Sequence, residues 1–145
     1  MDEQTIRLLQ ESFAEVMPMR QEAAALFYER LFALDPALRP LFADADMRSQ
    51  EMKLMAALAL VVGKLREIDS VVPVLETLAV KHVAYGVEER HYATVGKALI
   101  QTLSLAFGTR FTPELRNAWL SAYGAISAVM IAAARRGEAT LDAAE

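Results

Sequence analysis

A chain of 145 residues with 54% hydrophobic side chains, a formal net charge of -4 and a pI near 5.3 is long enough to bury one sizeable core. It carries no basic run to attract nucleic acid or an anionic membrane surface. It contains no cysteine, which excludes disulfides, zinc–thiolate sites, iron–sulfur clusters and a thiol nucleophile, and fits a reducing cytoplasm, the expected location.

The N-terminal stretch MDEQTIRLLQ is acidic and amphipathic, unlike a signal peptide. Ile6, Leu9, Phe13 and Val16 recur at helical spacing and predict a helix over 3–17. A second helix over 20–34 clusters Phe27, Tyr28, Leu31 and Phe32 on one side. In DPALRPLF, Asp35 reads as an N-cap with Pro36 at the first helical position, opening a short helix over 36–42. A short loop from Phe42 to Met47 leads into a helix over 47–67, with the stripe Met47, Gln50, Leu54, Leu58, Val61 and Leu65. Ser70 reads as a cap and Pro73 as a first-turn residue of a helix over 71–85, striped by Leu75, Leu78, His82 and Tyr85. Gly86 reads as its C-terminal glycine. A helix over 88–107 follows. Thr112, Pro113 and Glu114 then open the last helix, 113–135, striped by Leu115, Trp119, Ala122, Ile126 and Met130. Residues 136–145 read as a loose tail. Asn117–Ala134 has no formal charge and nearly the length of a membrane span. Its polar members (Asn117, Ser121, Tyr123, Ser127) and periodic bulky residues predict a core helix and no span. Strand alternation, repeats and long linkers are missing. The expected architecture is all-α, about seven helices in one domain over 1–145.

Three apolar stripes each carry a polar member: Tyr28, Gln50 and His82. A buried polar group without a partner costs about 1–3 kcal/mol, so three such groups imply that they meet something. Spacing alone leaves other readings open: a core histidine bonded to a carbonyl, a glutamine at a helix boundary, a tyrosine bonded to the backbone. The chain has only two histidines, His82 and His91. Their separation of about two and a half helical turns puts them on opposite faces, and Gly86 interrupts the helix between them. They cannot chelate one metal together. A single imidazole suits a metal whose other ligands come with it, and haem is such a group: the porphyrin supplies four nitrogens and one His the proximal bond. A mean hydropathy of +0.22 is high for a soluble chain and accords with a large apolar guest.

LFYERLFALDPALRPLF, followed by KHVAYGVEERHYATVGKAL, resembles the bacterial single-domain globins and the globin half of flavohaemoglobins, from Ile6 to about Ala134. The resemblance implies a three-over-three globin fold around one haem b, with His82 as the iron ligand. It implies Tyr28 and Gln50 as distal groups facing the bound ligand, Leu54 as the apolar neighbour shaping the ligand pocket, and Phe42 packed on the porphyrin. Leu78 would lie under the ring, and Tyr92 would touch the proximal His. Val95 joins the haem contacts, and Lys53 and Lys81 are candidates for the propionates. His91 becomes a structural or capping residue, not a ligand.

The implied function is reversible binding of dioxygen, nitric oxide and carbon monoxide at a pentacoordinate haem iron, as in an oxygen-binding or oxygen-transport bacterial haemoglobin. With an external electron source, nitric oxide dioxygenase activity is a further expectation. Two departures stand out. The chain ends at Glu145 without the flavin- and nicotinamide-binding module of flavohaemoglobins, so a separate reductase is expected. The glutamate that such proteins place late in the last helix is matched by Ala134. That puts peroxidase-like O–O cleavage in doubt and favours simple ligand binding. Other readings are a haem-based gas or redox sensor, an interaction module without haem, and an electron-transfer protein with a methionine ligand near Met47, Met52 or Met55.

Overall fold

The computed structural model describes residues 1–144, with side chains over 1–137. Every regular element among them is helical, as the spacing of apolar residues requires. Six α-helices follow in order: α1 (Glu3–Val16), α2 (Arg20–Leu34), α3 (Met47–Gly63), α4 (Val72–Ala84), α5 (His91–Phe107) and α6 (Pro113–Ala144). Short 3₁₀ segments join them.

Side chains set several starts. Asp2 accepts from the Thr5 N–H at 2.8 Å, Asp46 from Arg48 at 3.1 Å, and the Thr112 hydroxyl from Leu115 at 3.2 Å. Each satisfies an amide that the first helical turn leaves without a carbonyl. Asp35 caps as expected, accepting from the Ala37 N–H at 3.1 Å, but the segment it opens, Pro36–Phe42, is 3₁₀. Pro40 lies inside it and has no N–H to continue an α-helical ladder.

Four boundaries differ from the sequence expectation. The helix expected over 47–67 stops at Gly63, and a 3₁₀ segment, Leu65–Ser70, follows with a kink at Glu67 (φ -129°, ψ 44°). Glycine is the poorest helix former after proline, and the chain leaves the helix there. Ser70 does not cap α4; its hydroxyl donates to the Glu67 carbonyl at 2.6 Å, and α4 starts without a side-chain cap. The helix expected from 88 starts at His91, because residues 88–90 form a turn that the His91 ring closes. The helix expected to end at 135 runs on to Ala144, so the loose tail over 136–145 is not found up to Ala144. The local composition is rich in alanine and arginine, both strong helix formers, and Gly137 does not adopt positive φ. Glu145 lies outside the described residues.

The core is one contiguous cluster. Ile6, Leu9, Phe13 and Val16 are all buried, as the 3.6-residue period of α1 predicts, and Leu9 is fully enclosed. Leu115, Trp119, Ala122 and Met130 of α6 meet the same interior. The buried Trp119 indole N–H donates to Ser12 Oγ at 3.0 Å, and Ser12 donates to the Leu9 carbonyl at 3.1 Å, so this polar pair is satisfied. Helix α2 packs on α5 and α3, and α4 on α6. Among the described residues, Pro113–Gly137 is long and apolar enough to cross a membrane, with mean hydropathy 1.3. In this fold its apolar stripe lies against α1, α4 and α5.

Gly96 leaves room on α5 for the Tyr123 ring of α6. A Cβ there would sit 2.8 Å from Cε2 of Tyr123, and that ring is pinned by its own hydroxyl, which donates to the Tyr92 carbonyl at 2.6 Å. Gly96→Ala gains about 0.5–1 kcal/mol of helix propensity but forces an overpacking cost of about 1–3 kcal/mol. The expected net result is a loss of about 1 kcal/mol in urea unfolding; a variant more stable than the parent would show that the tyrosine ring yields freely.

Candidate functional site

Helices α2 to α6 and the 3₁₀ segment Pro36–Phe42 surround a cavity of about 660 Å³, within the ~300–1,000 Å³ typical of cofactor and ligand pockets. Tyr28, Phe42, Gln50, Lys53, Leu54, His82, Tyr92 and Val95 all line it. Residues scattered over the sequence are thus brought to one place. Leu78 and Lys81 are not in its lining: Leu78 is half-buried against the core and Lys81 is exposed. Met47, Met52 and Met55 are not in it either, and Met52 is 71% exposed.

His82 sits in the last turn of α4. Its Nδ1 lies 2.7 Å from the Leu78 carbonyl. A carbonyl only accepts, so Nδ1 carries the proton and donates. Burial pulls the imidazole pKa below its usual value, against the opposing pull of that hydrogen bond. The ring is therefore neutral at pH 7, and Nε2 holds a free lone pair. This is the tautomer that a metal-binding imidazole needs. The helix end is fixed one residue pair later. Gly86, at φ +95°, turns the chain while its N–H donates to the Val83 carbonyl at 3.0 Å and the Val87 N–H donates to the His82 carbonyl at 2.9 Å. These two bonds form a Schellman cap, and a Cβ on Gly86 would also press on Leu41 at 3.0 Å.

His91 is built the other way. Its ring is buried, and Nδ1 accepts from the Glu88 N–H at 2.9 Å. The proton of the neutral ring is then on Nε2, which lies 3.6 Å from the Glu88 carboxylate. The lone pair is already committed to the turn before α5, in keeping with the capping role expected for it, although the residue also forms part of the cavity wall.

Tyr28 and Gln50 face the cavity from α2 and α3. Tyr28 is held edge-on to Phe27 and Phe42, with centroids 5.0 and 5.6 Å away, and Phe42 is held in turn by Phe32 at 5.4 Å. The Tyr28 hydroxyl donates to the Gln50 backbone carbonyl at 3.5 Å, the long limit of a hydrogen bond. Burial, with a smaller push from the Glu51 charge, raises its pKa to about 12, so it stays a protonated donor. The weak internal bond leaves it ready to serve a stronger acceptor.

Sequence reasoning missed part of the wall. Tyr123, Ile126 and Met130 of α6 line the cavity; Ile126 and Met130 belong to an apolar stripe that reads equally as core. Burial, then the neighbouring Tyr92, pushes the Tyr123 phenol pKa up. Among the described residues no three His, Asp or Glu side chains cluster as a metal cage. A lone neutral imidazole on an apolar cavity fits a group that brings its own in-plane ligands, as haem does.

A globin family model matches residues 25–130. The flavohaemoprotein of Bordetella parapertussis is 36% identical over 129 residues, covering 87% of this chain and 32% of that protein; that of Bacillus subtilis is 25% identical over 133 residues, covering 90% and 33%. This chain therefore spans about a third of the length of these relatives. An engineered carbene transferase from a Rhodothermus marinus protein assigned as a nitric oxide dioxygenase superposes with a TM-score of 0.88 at 23% identity, covering 98% of this chain and 99% of that one. A bacterial globin of Campylobacter jejuni gives 0.83 at 20% identity, covering 93% and 97%. The two solved structures speak for the fold alone. With the family model over most of its length, and with its helices arranged as in these bacterial proteins, the chain belongs to the globin family and has the globin fold.

Proposed function

We propose that the cavity holds one haem b on Nε2 of His82 and that the protein reversibly binds dioxygen, nitric oxide and carbon monoxide. Haem binding is implied by the family. The observation that carries the residue assignment is the tautomer of His82: its Nδ1–H is fixed to the Leu78 carbonyl, so the lone pair of Nε2 remains for a metal. When bound, haem supplies an iron that takes a diatomic ligand and exchanges single electrons. The chain's residues do the rest. Phe42, Leu54 and Val95 exclude water from the cavity. The Tyr28 hydroxyl and the Gln50 side-chain amide donate to a polar ligand. Lys53, exposed while lining the cavity, meets a propionate at the rim.

Nitric oxide dioxygenation is the enzymatic extension of this reading, the activity assigned to the Rhodothermus marinus protein whose fold this chain shares. These 145 residues contain no Gly-x-Gly-x-x-Gly fingerprint and no cysteine pair, so the electrons for repeated turnover come from another module or protein. Absorption spectra of the oxidised, reduced and carbon monoxide-treated protein test the haem assignment; failure to take up haem, or a reduced form that does not bind carbon monoxide, overturns it. For the enzymatic reading, the dioxygen-loaded chain should consume about one equivalent of nitric oxide per haem, yield nitrate and stop, because one electron has been lost and nothing replaces it. NADH alone should restore little, and a competent reductase should restore turnover. Many equivalents consumed by chain and NADH alone would contradict the proposed electron supply.

A further inference from the structure

A second cavity, of about 30 Å³, lies between the end of α4, the turn before α5, and α6; its lining includes Val83, Glu89, Tyr92, Ile131, Ala134 and Arg135. Tyr92 lines both cavities and so forms a wall between them. It is only 9% exposed, and its hydroxyl oxygen is fully shielded with no hydrogen-bond partner among the described protein groups. Burial pushes the phenol pKa up, so the group remains an O–H donor at neutral pH. A buried donor left without an acceptor is costly. Ala134, on the same lining, offers no side-chain acceptor. A carboxylate lines the same space: Glu89, which is ion-paired with Arg135. A carboxylate has about four acceptor positions, so this pairing leaves room for another donor. A buried water needs roughly 10–15 Å³ and at least two polar partners. The cavity has the room, and its lining offers a water two polar groups, the shielded Tyr92 hydroxyl and the Glu89 carboxylate, whose side chain is 53% exposed.

We propose that this cavity is a hydration site, in which one bound water accepts the Tyr92 O–H and donates to the Glu89 carboxylate. Glu89, held by Arg135, then acts as a positioning residue for Tyr92.

The sign of a stability change separates this from an unsatisfied hydroxyl. Removing a hydroxyl that has no partner leaves Tm unchanged or raises it; removing one that holds a bridging water lowers it. In the full chain, at equal haem loading throughout, Tyr92→Phe should lower Tm by roughly 3 °C. That loss should fall by half or more in a Glu89→Ala background, and should persist in Glu89→Gln, which keeps an acceptor oxygen. A purely structural role for the phenol would not depend on Glu89. A crystal structure of the unaltered chain should place one water at hydrogen-bond distance from both Tyr92 Oη and a Glu89 carboxylate oxygen. A dry cavity, a raised Tm in Tyr92→Phe, or an equal loss with and without Glu89 overturns the proposal. If a variant fails to fold, the crystal structure of the unaltered chain decides.

Discussion

His82→Ala should lose haem, while His91→Ala should keep it with an unaltered spectrum. The two substitutions remove the same ring, and the rings differ in which nitrogen is free. In His82 the Leu78 carbonyl occupies Nδ1 and leaves the Nε2 lone pair. In His91 the Glu88 amide occupies the Nδ1 lone pair, and Nε2 carries the proton. Disturbing a partner behind a metal-bound histidine already costs 10–100-fold in metal affinity, so deleting the ligand itself should weaken haem binding by about 100-fold or more. Titrating haem into the apoprotein measures this directly. Added imidazole should restore much of the spectrum in His82→Ala by supplying the missing nitrogen. His91→Ala should instead cost about 1 kcal/mol of stability through the opened turn before α5. Equal haem loss in the two variants would sink the assignment of His82.

Tyr28→Phe should speed dioxygen release about tenfold, equivalent to about 1.4 kcal/mol. The phenol is protonated, buried and held edge-on by two aromatic rings, so the substitution removes a donor at nearly constant volume. Carbon monoxide, less polar when bound, should respond less. Protein stability should change little, because the hydroxyl's bond to the Gln50 carbonyl is at the 3.5 Å limit. That contrast isolates the ligand effect from any loosening of the fold. Gln50→Leu should act in the same direction. The two effects need not add, because both donors address one ligand and Tyr28 also contacts the Gln50 backbone. Ligand-release traces by laser photolysis and rapid mixing give the rates. Unchanged release of both gases from Tyr28→Phe would show that the hydroxyl does not reach the ligand.

The helices of this protein were legible in the sequence because helix formation is local. A stripe such as Ile6, Leu9, Phe13 and Val16, or a cap such as Asp35 or Thr112, acts over three or four residues, and its partners are near in the chain. The polar members of the stripes, Tyr28, Gln50 and His82, were legible as site candidates for the same reason: a polar residue on an apolar face stands out before packing is known. Where local preferences are weak or opposed, the boundaries moved. Gly63 stopped α3, and Ser70 bonded to a carbonyl instead of a helix start.

The sequence by itself thus determined the all-helical character, most helix starts and the candidate ligand His82. Tertiary structure alone decided what those residues do to one another. The opposite tautomers of His82 and His91 are set locally, by a carbonyl four residues before one ring and an amide three residues before the other, whereas packing brings both rings to the cavity wall. The contact of Tyr28 with the Gln50 backbone, the approach of Tyr123 to Gly96, and the small cavity between Tyr92 and Glu89 arise only when separate helices meet. A hydrogen bond or a close contact is set within a few tenths of an ångström. A residue's type announces its capacity to donate or accept, and packing chooses the partner.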